Sequence, residues 1–143
     1  GRCLVSSAER EGVSLICVTL GCPDDWNYHT FLYNEYFQKL KSVPLENFIA
    51  ETEVPVCGGT SETVKAFPKN VSASLFEGEE EKIDVVISRP PFVFAPVKKG
   101  DIIGNALFYL EEELIAETPL LAENNIETVP KNGGFWDDIK DIF

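Results

Sequence analysis

The chain has 143 residues, with 24 acidic against 12 basic side chains, a formal charge of −12, one histidine and no methionine. A single core closes at about 100–200 residues, so this length makes one domain, or a small domain plus part of another. With 44% hydrophobic residues the chain is globular, and its acid excess without a clustered basic patch excludes a nucleic-acid partner.

From its start the sequence predicts a hairpin and then a helix. Arg2 to Ala8 is strand-like, Glu9 to Gly12 is a turn, and Val13 to Leu20 is a nearly unbroken apolar run. Such strands belong in a sheet covered on both faces. With Glu11-Gly12 as a two-residue loop, Arg10 faces Val13, Cys3 opposes Leu20 and Cys17 opposes Ser6. Cys3 and Cys17 then point to opposite faces and form no bridge. Cys3, Cys17, Cys22 and Cys57 match no Cys-x-x-Cys spacing, so the thiols are read as scattered and no metal site is expected, with His29 the single histidine beside them.

After Gly21-Cys22-Pro23, Asp24 or Asp25 can cap a helix to about Lys41, apolar at Phe31, Leu32, Tyr33, Tyr36, Phe37 and Leu40. One helix cannot cover both faces of the hairpin, so 1–42 is read as the end of a larger α/β domain. The start at Gly1 and the lack of Met lead to the same expectation of a piece of a longer protein. Ser42-Val43-Pro44 should break the helix and mark a domain junction.

Residues 43–129 read as a small antiparallel β-sandwich. The expected strands are Leu45–Val54, Gly58–Thr60, Thr63–Phe67, Val71–Phe76, Lys82–Ser88, Ile102–Leu110 and Leu114–Leu121, separated by Gly, Pro and acidic turns. Residues 130–143 read as a linker and the start of an amphipathic helix, with Phe135, Trp136, Ile139, Ile142 and Phe143 on one face. That face suits a domain surface or a lipid interface, although the three aspartates on the polar side would be repelled by anionic lipid.

Catalytic machinery is not evident. No Gly-x-Ser-x-Gly, Gly-x-Gly-x-x-Gly, phosphate-binding loop or His-Glu-x-x-His is present, and His29 reads as a surface or capping residue. Lys98-Lys99-Gly100-Asp101 reads as a tight turn with solvated lysines, and Asn70-Val71-Ser72 fits a glycosylation acceptor. The lysine turn resembles that of biotinyl and lipoyl carrier domains, whose flanking methionines are missing here. No cofactor is expected.

Two longer stretches carry a closer resemblance. Gly1 to Trp26, GRCLVSSAEREGVSLICVTLGCPDDW, resembles the segment after the Lys-Thr-Gly motif of bacterial D-alanyl-D-alanine carboxypeptidases, the low-molecular-mass penicillin-binding proteins. Ala95 to Gly104, APVKKGDIIG, followed by Leu110 to Leu121, resembles their C-terminal β domain. The resemblance implies a mainly β (α+β) chain: the terminal hairpin and helix of a transpeptidase or β-lactamase-like domain, then the β-sandwich. It further implies an extracytoplasmic, membrane-associated serine peptidase that removes the terminal D-alanine from peptidoglycan stem peptides through an acyl-enzyme and reacts with β-lactams. The family's Ser-x-x-Lys, Ser-x-Asn and Lys-Thr-Gly are all missing from this chain, so no catalytic residue is assigned and the chain alone should be inactive. By resemblance the loop from Cys22 to Trp26 sits at the active-site end of the sheet, bringing Asp25 and His29 towards substrate. The alternative is a non-catalytic binding or spacer module at the cell surface.

Overall fold

The computed structural model describes residues 1–130; the expected apolar face from Phe135 to Phe143 lies outside the described residues. Strands β1 (Cys3–Arg10) and β2 (Val13–Leu20) form an antiparallel hairpin, followed by helix α1 (Asp25–Lys39) and strand β3 (Leu40–Pro44). Then come β4 (Thr52–Cys57), β5 (Thr63–Pro68), β6 (Ser72–Phe76), β7 (Ile83–Ser88), β8 (Val93–Phe94), β9 (Ile102–Leu110) and β10 (Glu113–Ala122). The chain is mainly β, as expected.

Glu11 and Gly12 join β1 to β2 with φ of 51° and 80°. Positive φ at both central residues matches the right-handed twist of the strands. The ladder pairs Arg10 with Val13, Ser6 with Cys17 and Cys3 with Leu20, the register derived from the loop length. All four cysteines are free thiols.

A six-stranded sheet runs in the order β7-β9-β10-β5-β4-β8, and β3 pairs with β6 as a separate ribbon. Leu45, Val54, Val64, Ala106, Phe108 and Leu120 form the centre of the buried core, against which Val71 and Ala73 of the ribbon segment pack. Alternation along β4, β5 and β7 turns every second side chain inward.

Several expected elements fall elsewhere. The helix ends at Lys39, and Ser42-Val43-Pro44 lies in strand β3. Leu45–Val54 is not one strand: Leu45–Phe48 is a 3₁₀ turn and β4 begins at Thr52. The reason lies in its partners. Leu45 donates its N–H to the Val71 carbonyl at 2.8 Å and is fully buried, which pins the segment across the ribbon's end. Gly58–Thr60 is a loop bridged to Thr128 through Gly59, and Val93–Phe94 forms a short strand parallel to β4.

Candidate functional site

The hairpin has two unlike faces. Val13, Cys17 and Thr19 are buried on the side that meets α1, whereas Val5, Ile16, Val18 and Leu20 are exposed on the other, Ile16 at 76% and Leu20 at 77%. One face of the apolar run is covered and the other is bare. Helix α1 inverts the usual arrangement too. Its fully buried side chains are the polar Asp25 and His29, one turn apart, while Trp26, Tyr28 and Phe31 are exposed.

His29 is therefore not a surface or capping residue. Its side chain projects from the first turns of α1 onto the hairpin and is 3% exposed. Nδ1 shares a hydrogen bond with Ser6 Oγ at 2.7 Å and Nε2 shares one with Thr19 Oγ1 at 3.0 Å. Ser6 Oγ also lies 2.7 Å from Tyr33 Oη. Ser6, Thr19 and Tyr33 thus satisfy the imidazole and each other across β1, β2 and α1. A serine this close to an imidazole has the spacing of a nucleophile and its base. Here both ring nitrogens are engaged and the second side of Ser6 is taken by Tyr33, so the network clamps the helix to the hairpin.

Asp25 is held in the same way. Arg2 Nη2 donates to Oδ1 at 3.2 Å, and Arg2 Nε stands 3.0 Å from Oδ2. Oδ2 is buried without a well-aligned hydrogen bond, so the Arg2 charge is what compensates it. The Trp26 N–H donates to Asp25 Oδ1 at 2.9 Å. Asp24, at the residue preceding the helix, binds the Asn27 side chain instead of a backbone N–H. The sequence offered one signal for the buried cluster: Asp25 and His29 are four residues apart, hence on one helical face.

The unit rests directly on the ribbon. The Tyr36 and Phe76 rings meet at 6.4 Å and a side chain at Gly12 would come within 3.1 Å of Ser42 Oγ, while within the unit Arg10 lies 4.9 Å from the Phe37 ring.

The other residues singled out in the sequence have local roles. Lys98 donates its backbone N–H to the Asp101 carboxylate at 2.9 Å, Gly100 has φ 89°, and Lys99 N–H reaches Asn125 Oδ1, closing the tight turn. Asn70 is exposed. A polar groove of about 380 Å³ lies beside Glu53, Thr60, Lys65, Glu123 and Asn125. Lys65 pairs with Glu51, and that hydrogen bond holds the ammonium above its ordinary pKa. The hydrogen bond from Lys82 at 2.7 Å likewise lowers the Glu111 carboxyl and raises Lys82. Among the described residues no cluster of His, Cys, Asp and Glu is arranged to hold a metal, and no helix is long and apolar enough to cross a membrane.

The family model described as the penicillin-binding protein 5 C-terminal domain matches residues 37–128. The chain belongs to that family. Penicillin-binding protein 5 from Haemophilus influenzae superposes with a TM-score of 0.64 at 22% identity, covering 87% of this chain and 38% of that one. The D-alanyl-D-alanine carboxypeptidase DacD from Francisella tularensis gives 0.55 at 23% identity, covering 89% of this chain and 33% of its own. A peptidoglycan synthesis regulatory factor, PBP3, from Streptococcus pneumoniae gives 0.71 at 16% identity over 89% of this chain and 40% of its own. The likeness in fold extends past the family match into the hairpin and helix, and this chain spans well under half of each of these proteins. A search of curated proteins returns no sequence match.

Proposed function

We propose that the chain is the C-terminal part of a serine-type D-alanyl-D-alanine carboxypeptidase acting on peptidoglycan stem peptides outside the cytoplasm. In this reading β1 and β2 continue a sheet whose other strands carry the nucleophile, and 43–129 set that sheet off from the membrane, which 135–143 contact. The serine attacks the carbonyl between the two terminal D-alanines, the last D-alanine leaves, and water hydrolyses the acyl-enzyme. The chain's share of the work is positional: it holds strands beside the site and supplies no reacting group.

The bare face of the hairpin carries this reading. Val5, Ile16, Val18 and Leu20 are exposed on strands whose opposite face is covered, and full burial of such a side chain is worth about 1.5–3 kcal/mol. Further sheet and helix from the same protein would cover them, and membership of the penicillin-binding protein 5 family supports that source.

Labelling with a fluorescent penicillin tests the proposal. The protein carrying Ser-x-x-Lys, Ser-x-Asn and Lys-Thr-Gly ahead of these residues should form a stable acyl adduct, and the 143-residue chain should form none. Failure of the longer protein to acylate, or absence of those motifs from it, would leave the spacer or binding module as the better reading. Acylation of the 143-residue chain would place the nucleophile among these residues and overturn the division of labour.

A further inference from the structure

The outer face of the six-stranded sheet carries two cross-strand rows. Ile102, Leu121 and Phe67 stand side by side on β9, β10 and β5, and the next row along β5 is Glu123, Lys65 and Glu53. Ile102 and Phe67 are exposed, 69% and 47%. Three depressions follow this face. One of about 490 Å³ lies between Phe67 and the Ile49-Ala50 segment, and one of about 260 Å³ lies on the other side of Phe67, against Gly100 and Leu121. The polar groove of about 380 Å³ continues from the second through Glu123, which lines both. Together they form one path, apolar at Phe67 and polar beyond it.

The polar groove is a split in the sheet. The Val56 N–H donates to the Glu62 carbonyl, so the alternation of an antiparallel ladder turns the backbone groups of Thr63 and Lys65 away from β4 and towards β10. The Lys65 carbonyl accepts from the Glu123 N–H at 2.9 Å, but beyond Glu123 the chain swings across to Val97, with which Ile126 exchanges both backbone hydrogen bonds. The N–H groups of Thr63 and Lys65 therefore face the split with no backbone partner among the described residues. Beside them lie the Thr60 hydroxyl, the Glu123 carboxylate and Asn125, whose Oδ1 is held by the Lys99 N–H and whose NH₂ is left to donate. Backbone closes the split at both ends, at Lys65–Glu123 and where the Thr60 N–H donates to the Glu127 carbonyl at 2.9 Å, so an extended peptide has no open edge to join as a further strand.

We infer that this face binds a neutral carbohydrate chain, with sugar rings lying on Phe67 and Leu121 and hydroxyls reaching into the split between β5 and the 123–126 segment. A sugar hydroxyl donates and accepts at once, which matches a groove that sets N–H donors beside a carboxylate, and the C–H face of the ring matches the exposed aromatic. A cleft of this size falls in the range of small-ligand sites, about 300–1,000 Å³, and β5 runs about 13 Å from Phe67 to Thr63, room for more than one ring. Anionic chains are disfavoured: Lys65 is already paired with Glu51, Glu53 and Glu123 stand on either side of it, and the net charge is −12. The site takes no part in the acyl transfer of the proposed function and stands independently of it.

The isotope-labelled full chain is titrated by NMR with chitopentaose, a soluble neutral glycan, and separately with an oligogalacturonate and with the basic peptide Lys-Ala-Lys-Ala-Lys. Chitopentaose should shift the backbone amide signals of Thr63, Lys65 and Phe67 and slow hydrogen exchange at Thr63 and Lys65. Phe67→Ala should bind it about two- to tenfold more weakly, and Phe67→Tyr should bind as the wild type does. Should Phe67→Ala fail to fold, Glu123→Ala decides: it should lose a similar factor, and full retention of affinity overturns the inference. Chitopentaose that moves no signal, or only signals away from this face, overturns it as well. So does the oligogalacturonate binding as tightly as chitopentaose, or the peptide moving these amides when chitopentaose does not, which would assign the groove to a peptide. Penicillin acylation of the longer protein involves none of these residues, so either proposal can fail while the other stands.

Discussion

Replacing His29 by alanine should release the helix from the hairpin without unfolding the six-stranded sheet. The ring makes two hydrogen bonds, to Ser6 and Thr19, each worth about 0.5–1.5 kcal/mol net. It also meets Tyr33 edge to face at 6.4 Å, a contact worth about 0.5–1.5 kcal/mol. Ser6 keeps Tyr33 as a partner, but the buried Thr19 hydroxyl loses its own, adding about 1 kcal/mol or more of desolvation. The sum is about 2.5–5.5 kcal/mol, or roughly 70- to 10,000-fold in an opening equilibrium. Amide hydrogen exchange reads this residue by residue: protection in β1, β2 and α1 should fall by that factor while β9 and β10 keep theirs. His29→Asn, whose amide can still reach Ser6, should lose roughly half as much. A loss below about tenfold in α1, or an equal loss in β9 and β10, would refute the clamp.

Gly104 lies so close to the strand edge that an alanine Cβ would sit 2.6 Å from the Ser88 carbonyl, so Gly104→Ala should cost about 1–3 kcal/mol in urea unfolding. Glu111 and Glu112 make the β9–β10 turn with φ of 49° and 73°, where glycine is preferred; Glu112→Gly should stabilise the chain by about 1 kcal/mol, raising the thermal midpoint. Because Lys82 lowers the Glu111 pKa, that pair favours the fold above the ordinary carboxylate range and the gain disappears as pH falls through the lowered value. An NMR titration should find Glu111 returning to its ordinary value in Lys82→Gln, and an unmoved midpoint would reject the pairing.

Much of the fold is legible where local chemistry dictates it. Glu11-Gly12 fixes the turn type, the turn fixes the register, and the register places Cys3 and Cys17 on opposite faces. Ile102–Leu110 is long and apolar enough that its limits are those of β9. What escapes depends on partners distant in sequence. Leu40–Pro44 is a strand because Ser72–Phe76 lies beside it, and Val93–Phe94 because β4 does, facts no local pattern holds. His29 looks like a surface residue until Ser6 and Thr19 are brought to it from two other elements. Burial of a polar helical face is hard to foresee because the partners that repay it lie 23 and 10 positions away.

The join between α1 and β3 has a mechanical meaning. Helix passes into strand at Lys39–Leu40 with no loop between them, and the strand is then stitched to β6 along its length. Turning the hairpin and helix relative to the sheet would mean unzipping that ribbon, so the connection transmits torque as a stiff shaft does and a slack tether cannot.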